Sequence, residues 1–197
     1  VVHRVPRRVL RIVGVCSALL VLSPFRPVVA GDDAVPPAVQ AELLAKIPEY
    51  DRNFRDVAGE RVHVLLLTKK GSAESIRTAN LIGAAIAKQA AIAGLPHDVT
   101  ALEYSSAAAL ARECAKRSVS MLYVGPGFDA EVDSVCAAVE PLHVRTVTSV
   151  PDYAKRCVVV GFRLDAGRPK ILVNLAHAQK SDIRYRADLL KLAEVYR

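Results

Sequence analysis

Three cysteines beyond residue 30, Cys114, Cys136 and Cys157, are the side chains best suited to covalent chemistry. In an oxidising compartment three thiols allow one internal disulfide and leave one over. Cys114 follows Leu110 by four residues on an expected helix, and Cys136 lies between Val132 and Val139 on another, so both point to a core. Two outcomes fit: buried, inert thiols, or a Cys114 to Cys136 bridge between neighbouring helices. Neither flank of Cys114 supplies the electropositive, exposed setting that activates a thiol, so no catalytic residue is assigned. The histidines are scattered without metal-ligand spacing, and neither G-x-S-x-G nor H-E-x-x-H occurs. His63, within an apolar run, reads as a satisfied core histidine, and His177 as a residue at the sheet edge. No metal and no cofactor are expected.

The remaining polar candidates sit where apolar runs end. Lys69, Gly71 and Ser72 follow one run, Gly125 and Gly127 a second, and Thr148, Ser149 and Asp152 a third. If those runs are parallel strands, the three segments meet beyond their carboxyl ends, where open α/β sheets bind ligands. Amides at a helix start beside two lysines could receive an anion. Ordinary turn and capping chemistry explains the same residues, because neither the phosphate loop nor the dinucleotide fingerprint is present. Asn174, a polar residue inside a strong apolar strand, is expected to bond neighbouring backbone rather than a ligand.

The elements that would position these residues follow from periodicity. Pro36 and Pro37 open a helix with an apolar stripe of Val39, Leu43, Leu44 and Ile47, stopped by Pro48. Val62 to Thr68 reads as a central strand covered on both faces. A long helix with Ile76, Ala79, Gly83, Ile86 and Ala90 at helical spacing then runs towards Gly94 as its cap. Strands near 99–104, 121–124, 144–150, 158–164 and 170–175 follow, with helices after Ser105, Asp129 and Asn174. Strand and helix alternate, which predicts right-handed crossovers and a mostly parallel sheet; Asp165-Ala166-Gly167 predicts an antiparallel C-terminal hairpin. The expected architecture is a three-layer α/β sandwich of Rossmann or flavodoxin type.

Charge and the leader narrow the function. The formal net charge is +7, but Arg4, Arg7, Arg8, Arg11 and Arg26 lie in the first thirty residues without any acidic residue, leaving +2 for the remainder. With no Trp and no basic stripe interleaved with aromatics, no nucleic-acid partner is expected. A basic start, an apolar run over Ile12 to Leu22 and Val28-Val29-Ala30 before Gly31 predict a secretory signal over residues 1–30, cleaved after Ala30. Residues 31–58 then form a lead-in and N-terminal helix, and 59–197 a single α/β domain.

The strand Ile171 to Leu175 carrying Asn174, followed by Leu189-Leu190-Lys191-Leu192-Ala193, resembles the C-terminal half of the YfiR-like family of exported regulatory proteins. Met121 to Gly125, Val147 to Tyr153 and Gly161-Phe162 resemble further family motifs, in order. Cys157-Val158 departs from the family's Gly-Gly pair, and the N-terminal helix lacks the family's Asn and Trp. The resemblance implies a non-catalytic periplasmic protein that binds the periplasmic part of an inner-membrane signalling protein, a diguanylate cyclase, and modulates cyclic-di-GMP signalling. Leu43, Leu44 and Ile47, if exposed, are then the candidate partner contacts, and a homodimer is a further expected assembly. Gly161 and Asn174 take structural roles. The rival expectation is a periplasmic small-ligand binder serving a transporter or sensor kinase.

Overall fold

A computed structural model describes residues 1–2 and 34–197; the expected leader and its cleavage point after Ala30 lie outside the described residues. The central strand β1 (Val62–Lys69) arises from a nearly continuous apolar run interrupted by His63, in which Val64 and Leu66 face one layer while Leu65 and Leu67 face the other. That alternation is the period-two geometry of a strand, and burial on both faces explains why the run shows no polar residue at every second place. The remaining strands are β2 (His97–Tyr104), β3 (Met121–Val124), β4 (Arg145–Thr148), β5 (Val160–Asp165), β6 (Arg168–Asn174) and β7 (Glu194–Tyr196). They form one sheet in the order β2-β1-β3-β4-β5-β6-β7, parallel except for the antiparallel β5–β6 hairpin. Ala166 (φ 48°) and Gly167 (φ 75°) make the hairpin turn, the left-handed pair that a two-residue connection requires.

Helices cover both faces. On one lie α1 (Pro37–Lys46), α2 (Phe54–Ala58) and α3 (Ala73–Ile86), whose Leu44, Phe54, Ala79, Ile82 and Ile86 pack on Val64, Leu66 and Tyr123. On the other lie α4 (Ala107–Lys116), α5 (Val132–Val139) and α6 (Pro151–Arg156), contributing Leu110, Cys114, Val132, Val135 and Tyr153. The C-terminal α7 (Leu175–Lys180) and α8 (Ala187–Leu192) add Ala178 and Leu189 to the first face. The three-layer sandwich expected from the sequence is therefore the observed fold.

Several local expectations are corrected. Leu44 is 2% and Ile47 6% exposed, and Leu43 is half-buried against the same core, so the stripe expected to meet a partner is internal packing between α1, α3 and the sheet. Helix α3 ends at Ile86, its inward stripe is Ser75, Ala79, Ile82 and Ile86, and Ile76 faces outward. Gly94 (φ 75°) serves instead in a tight turn closed by an Ile92–Leu95 bridge. The last expected helix is two short ones followed by β7, a three-residue strand too brief to show a period. The Cys114 to Cys136 bridge is not formed. Cys136 is bonded to Cys157, with a Cα–Cα distance of 6.1 Å, and Cys114 is a buried free thiol. Cys157 lies in the turn between α6 and β5, and that crossover lays it against α5, a placement no periodicity marks.

A buried ion pair ties the start of the domain to the sheet. Asp51 Oδ2 accepts from Arg145 Nε at 2.8 Å and Nη2 at 2.5 Å, with side chains 0% and 2% exposed. Asp51 Oδ1 accepts from the amides of Asn53 and Arg184, each at 3.1 Å. One carboxylate thus holds the segment after α1, the first residue of β4 and the segment between α7 and α8.

Candidate functional site

The chain passes from β1 outward to β2 and returns to the opposite side at β3, so the strand order reverses between β1 and β3. Sequence reasoning puts a ligand crevice there. Lys69 is the last residue of β1, and Ser72 caps α3, accepting from the Ser75 amide at 3.2 Å. The loop after β3 lies against this corner. A Cβ built on Gly127 would stand 3.5 Å from Ser72 Oγ and 3.7 Å from Lys69 Cβ, and one on Gly125 3.8 Å from Ser75 Oγ. Gly71 (φ 74°) and Gly127 (φ 90°) hold left-handed backbone that favours glycine. Lys69, Gly71, Ser72, Gly125 and Gly127 are therefore brought to one corner of the molecule.

That corner is occupied by the protein's own side chains. Lys69 Nζ bonds Glu131 Oε1 and stands 5.7 Å from the centre of the Phe128 ring. Phe128 is fully buried, meets Tyr104 edge-on at 5.6 Å, and donates its amide to Tyr153 Oη at 2.8 Å. Burial is the main cause that pushes the Tyr153 phenol up to about 12, so it stays protonated at neutral pH. The lysine expected to receive an anion is thus already neutralised, and the space above the switch point is filled by an aromatic plug.

The third segment contributes structure rather than an open site. Thr148 is buried, donating Oγ1 to Val124 O at 2.8 Å and accepting from the Val150 amide at 3.0 Å. Ser149 is half-buried, and Asp152 pairs with Lys155 at 2.7 Å on the surface of α6. Asn174 caps α7, accepting from the His177 amide at 2.9 Å, and donates Nδ2 to Ala154 O at 2.9 Å, a bond between layers. Gly161 allows that close approach, since a Cβ there would stand 2.7 Å from Ala154 Cβ.

No nucleophile is paired with a base among the described residues. The Cys114 thiol is pushed up to about 11, chiefly by burial, so it is inert near neutrality. His63 is a strand residue at the β1–β2 boundary rather than a core histidine; its Nδ1 meets Asp98 at 2.8 Å with about a third of the side chain exposed. His177 lies on α7, 3.7 Å from Glu140, and burial, then Lys180, lowers its pKa. No group of His, Cys, Asp and Glu among the described residues is arranged to hold a metal ion.

Sequence reasoning missed Tyr104, Phe128, Glu131 and Tyr153 as residues of this corner. Phe128 alone had a legible signal, an aromatic directly after Gly125-Pro126-Gly127. Concavities of about 500, 380 and 310 Å³ lie elsewhere, and none of the eight expected ligand residues lines them. The largest is lined by Pro48, Asp51, Phe54, Arg55, Gly94 and Arg186 among others, on the side where β4 begins.

A three-layer α/β domain whose switch-point corner is filled by its own Lys69, Phe128 and Glu131 defines the class. Within it, the chain belongs to the YfiR/HmsC-like family, whose model matches residues 38–194. No curated protein matches it in sequence. Among solved structures it is similar to the ABC domain in complex with L-Trp from Streptococcus pneumonia, at TM-score 0.59 and 13% identity over 82% of this chain and 62% of that one. A conserved domain protein from Vibrio cholerae gives TM-score 0.60 and 12% identity over 82% and 60%. The ligand-free, open form of CD0873, a substrate binding protein with adhesive properties from Clostridium difficile, gives TM-score 0.56 and 7% identity over 74% and 57%. The chain spans about six-tenths of the length of these structures, and the likeness is one of fold.

Proposed function

We propose that the protein is a non-catalytic periplasmic regulator that binds the periplasmic part of an inner-membrane signalling protein, a diguanylate cyclase, and so modulates cyclic-di-GMP signalling. The supporting observation is membership of the YfiR/HmsC-like family across residues 38–194. The plugged crevice at Lys69, Phe128 and Glu131 agrees with action through protein contact. In this reading residues 1–30 are an export signal cleaved after Ala30, residues 31–58 the lead-in and first helix, and 59–197 the α/β domain. No helix among the described residues is long and apolar enough to cross a membrane. Regulation requires different affinities for two states of the partner, because a binder shifts an equilibrium only by that difference.

The test is cross-linking of the tagged protein in intact cells, with cyclic-di-GMP measured in cells with and without it. A cross-linked inner-membrane protein carrying a cyclase output domain and a changed cyclic-di-GMP level are expected. An unchanged level with no membrane protein cross-linked would refute the reading. The second reading, a small-ligand binder, draws on the substrate-binding description of the CD0873 structure and the L-Trp complex of the pneumococcal one. It requires Lys69 to leave Glu131, so a ligand-induced rise in Tm that Lys69→Gln abolishes would favour it.

A further inference from the structure

We propose that the concavity of about 500 Å³ between the segment after α1, the 92–95 turn and Arg186 is a binding site for a small organic anion bearing carboxylate or phosphate groups. Three arginines, Arg52, Arg55 and Arg186, line it, and none has a carboxylate partner among the described residues. Two acids also line it, Glu49 and Asp51, but Asp51 is consumed by Arg145. The lining therefore keeps an excess of two positive charges in a space of the size that small-molecule sites occupy.

The arginines are partly preorganised. Arg55 Nη2 donates to Ala93 O at 3.0 Å, and Arg186 Nη2 donates to Glu49 O at 3.2 Å while its guanidinium lies 4.9 Å from the centre of the Tyr50 ring. Each retains further N–H donors in the planar fork that matches carboxylate and phosphate oxygens. Gly94 leaves room for this arrangement, since a Cβ there would stand 3.3 Å from Arg55 Nη2. The backbone around them is pinned: Arg186 N donates to Tyr50 O at 2.8 Å and Arg52 N to Arg184 O at 3.1 Å. Arginines held this way lose less freedom on binding than free surface side chains, which favours affinity. The site lies apart from the Lys69 corner and is independent of the regulator reading.

Binding is tested on the folded protein by thermal shift and titration calorimetry, with citrate and pyrophosphate as probes and sodium chloride at matched ionic strength as reference. The variants are Arg52→Gln, whose side chain makes no hydrogen bond within the described residues, Arg186→Gln, and Lys116→Gln on α4 as a remote charge control. At least one probe should raise Tm saturably, with an apparent Kd weakened about tenfold in R52Q and R186Q and unchanged in K116Q, equivalent to about 1.4 kcal/mol. The tighter probe assigns the carboxylate or phosphate class. No saturable effect from either probe, or equal effects in all variants, would overturn the assignment as diffuse charge screening.

Discussion

Replacing Asp51 with Ala should cost this domain more stability than any other single charged-to-neutral change among the described ion pairs. The carboxylate is fully enclosed and accepts four hydrogen bonds, two from Arg145 and one each from the Asn53 and Arg184 amides. Its removal leaves the Arg145 guanidinium, itself 2% exposed, charged and unpaired, and orphans two backbone donors. Breaking a buried pair by deleting one partner costs about 3–5 kcal/mol, a large share of the roughly 5–15 kcal/mol that holds a domain folded. At about 2–4 °C per kcal/mol for a domain of this size, Tm should fall by about 6–20 °C. Urea denaturation followed by far-UV circular dichroism measures the loss, with an unchanged m-value showing that the unfolded state is not the cause. Asp51→Asn, which keeps an acceptor for the two amides, should cost less than Asp51→Ala. The double variant Asp51→Ala with Arg145→Met should recover more than half of the loss, since no charge then remains buried beside the Phe54 ring. A loss below about 1 kcal/mol for Asp51→Ala, the level of a surface pair, would refute the reasoning.

Reducing the Cys136–Cys157 bond, or replacing Cys157 with Ser, opens the loop that the bond closes across a 21-residue separation and should cost about 3 kcal/mol in urea denaturation. Cys114, buried with its thiol pushed up to about 11, should react with a thiol reagent only after unfolding. Gly161→Ala forces a methyl to within 2.7 Å of Ala154 Cβ and should destabilise by about 1–3 kcal/mol, read as a lower urea midpoint. The folded-state pKa of His177 lies below its ordinary value, chiefly through burial, so the unfolded chain binds the proton more readily. Its contribution is complete above the unfolded value and is lost as pH falls through the folded one, so His177→Gln should flatten the acid side of the stability–pH curve.

The sheet was readable where a run of apolar residues met a turn signal. Val62 to Thr68 had to be a strand buried on both faces, and Asp165-Ala166-Gly167 had to reverse the chain, because both are local demands of sterics and burial. Asp51 was not readable, since nothing near it in sequence reveals that its partner lies 94 residues away. Leu44 and Ile47 announce an apolar face but not what covers it, and the structure covers it with α3 and the sheet. Turn residues at the ends of β1 and β3 mark where their loops meet near Lys69, yet the plug there depends on Glu131 and Phe128 approaching from another crossover. Short-range chemistry sets where chain segments turn; long-range packing decides whether the resulting hollow is open.

The two ends of the sheet consequently have opposite characters, and Asp51 offers a way to separate charge from architecture at the arginine concavity. It lines that space but points its oxygens at Arg145 and at the amides of Asn53 and Arg184. If the concavity attracted anions by local charge alone, Asp51→Ala would tighten citrate binding, since a negative charge disappears and the Arg145 cation is released. If the arginines act because the chain holds them in place, the same change must weaken binding, because Asp51 anchors the Arg184 amide and Arg184 O in turn receives the Arg52 amide. The pinned backbone favours the second sign. Calorimetry on Asp51→Ala, at a temperature where circular dichroism shows it folded, should find citrate bound more weakly than by the unaltered protein, and tighter binding would show that charge rather than position governs the concavity.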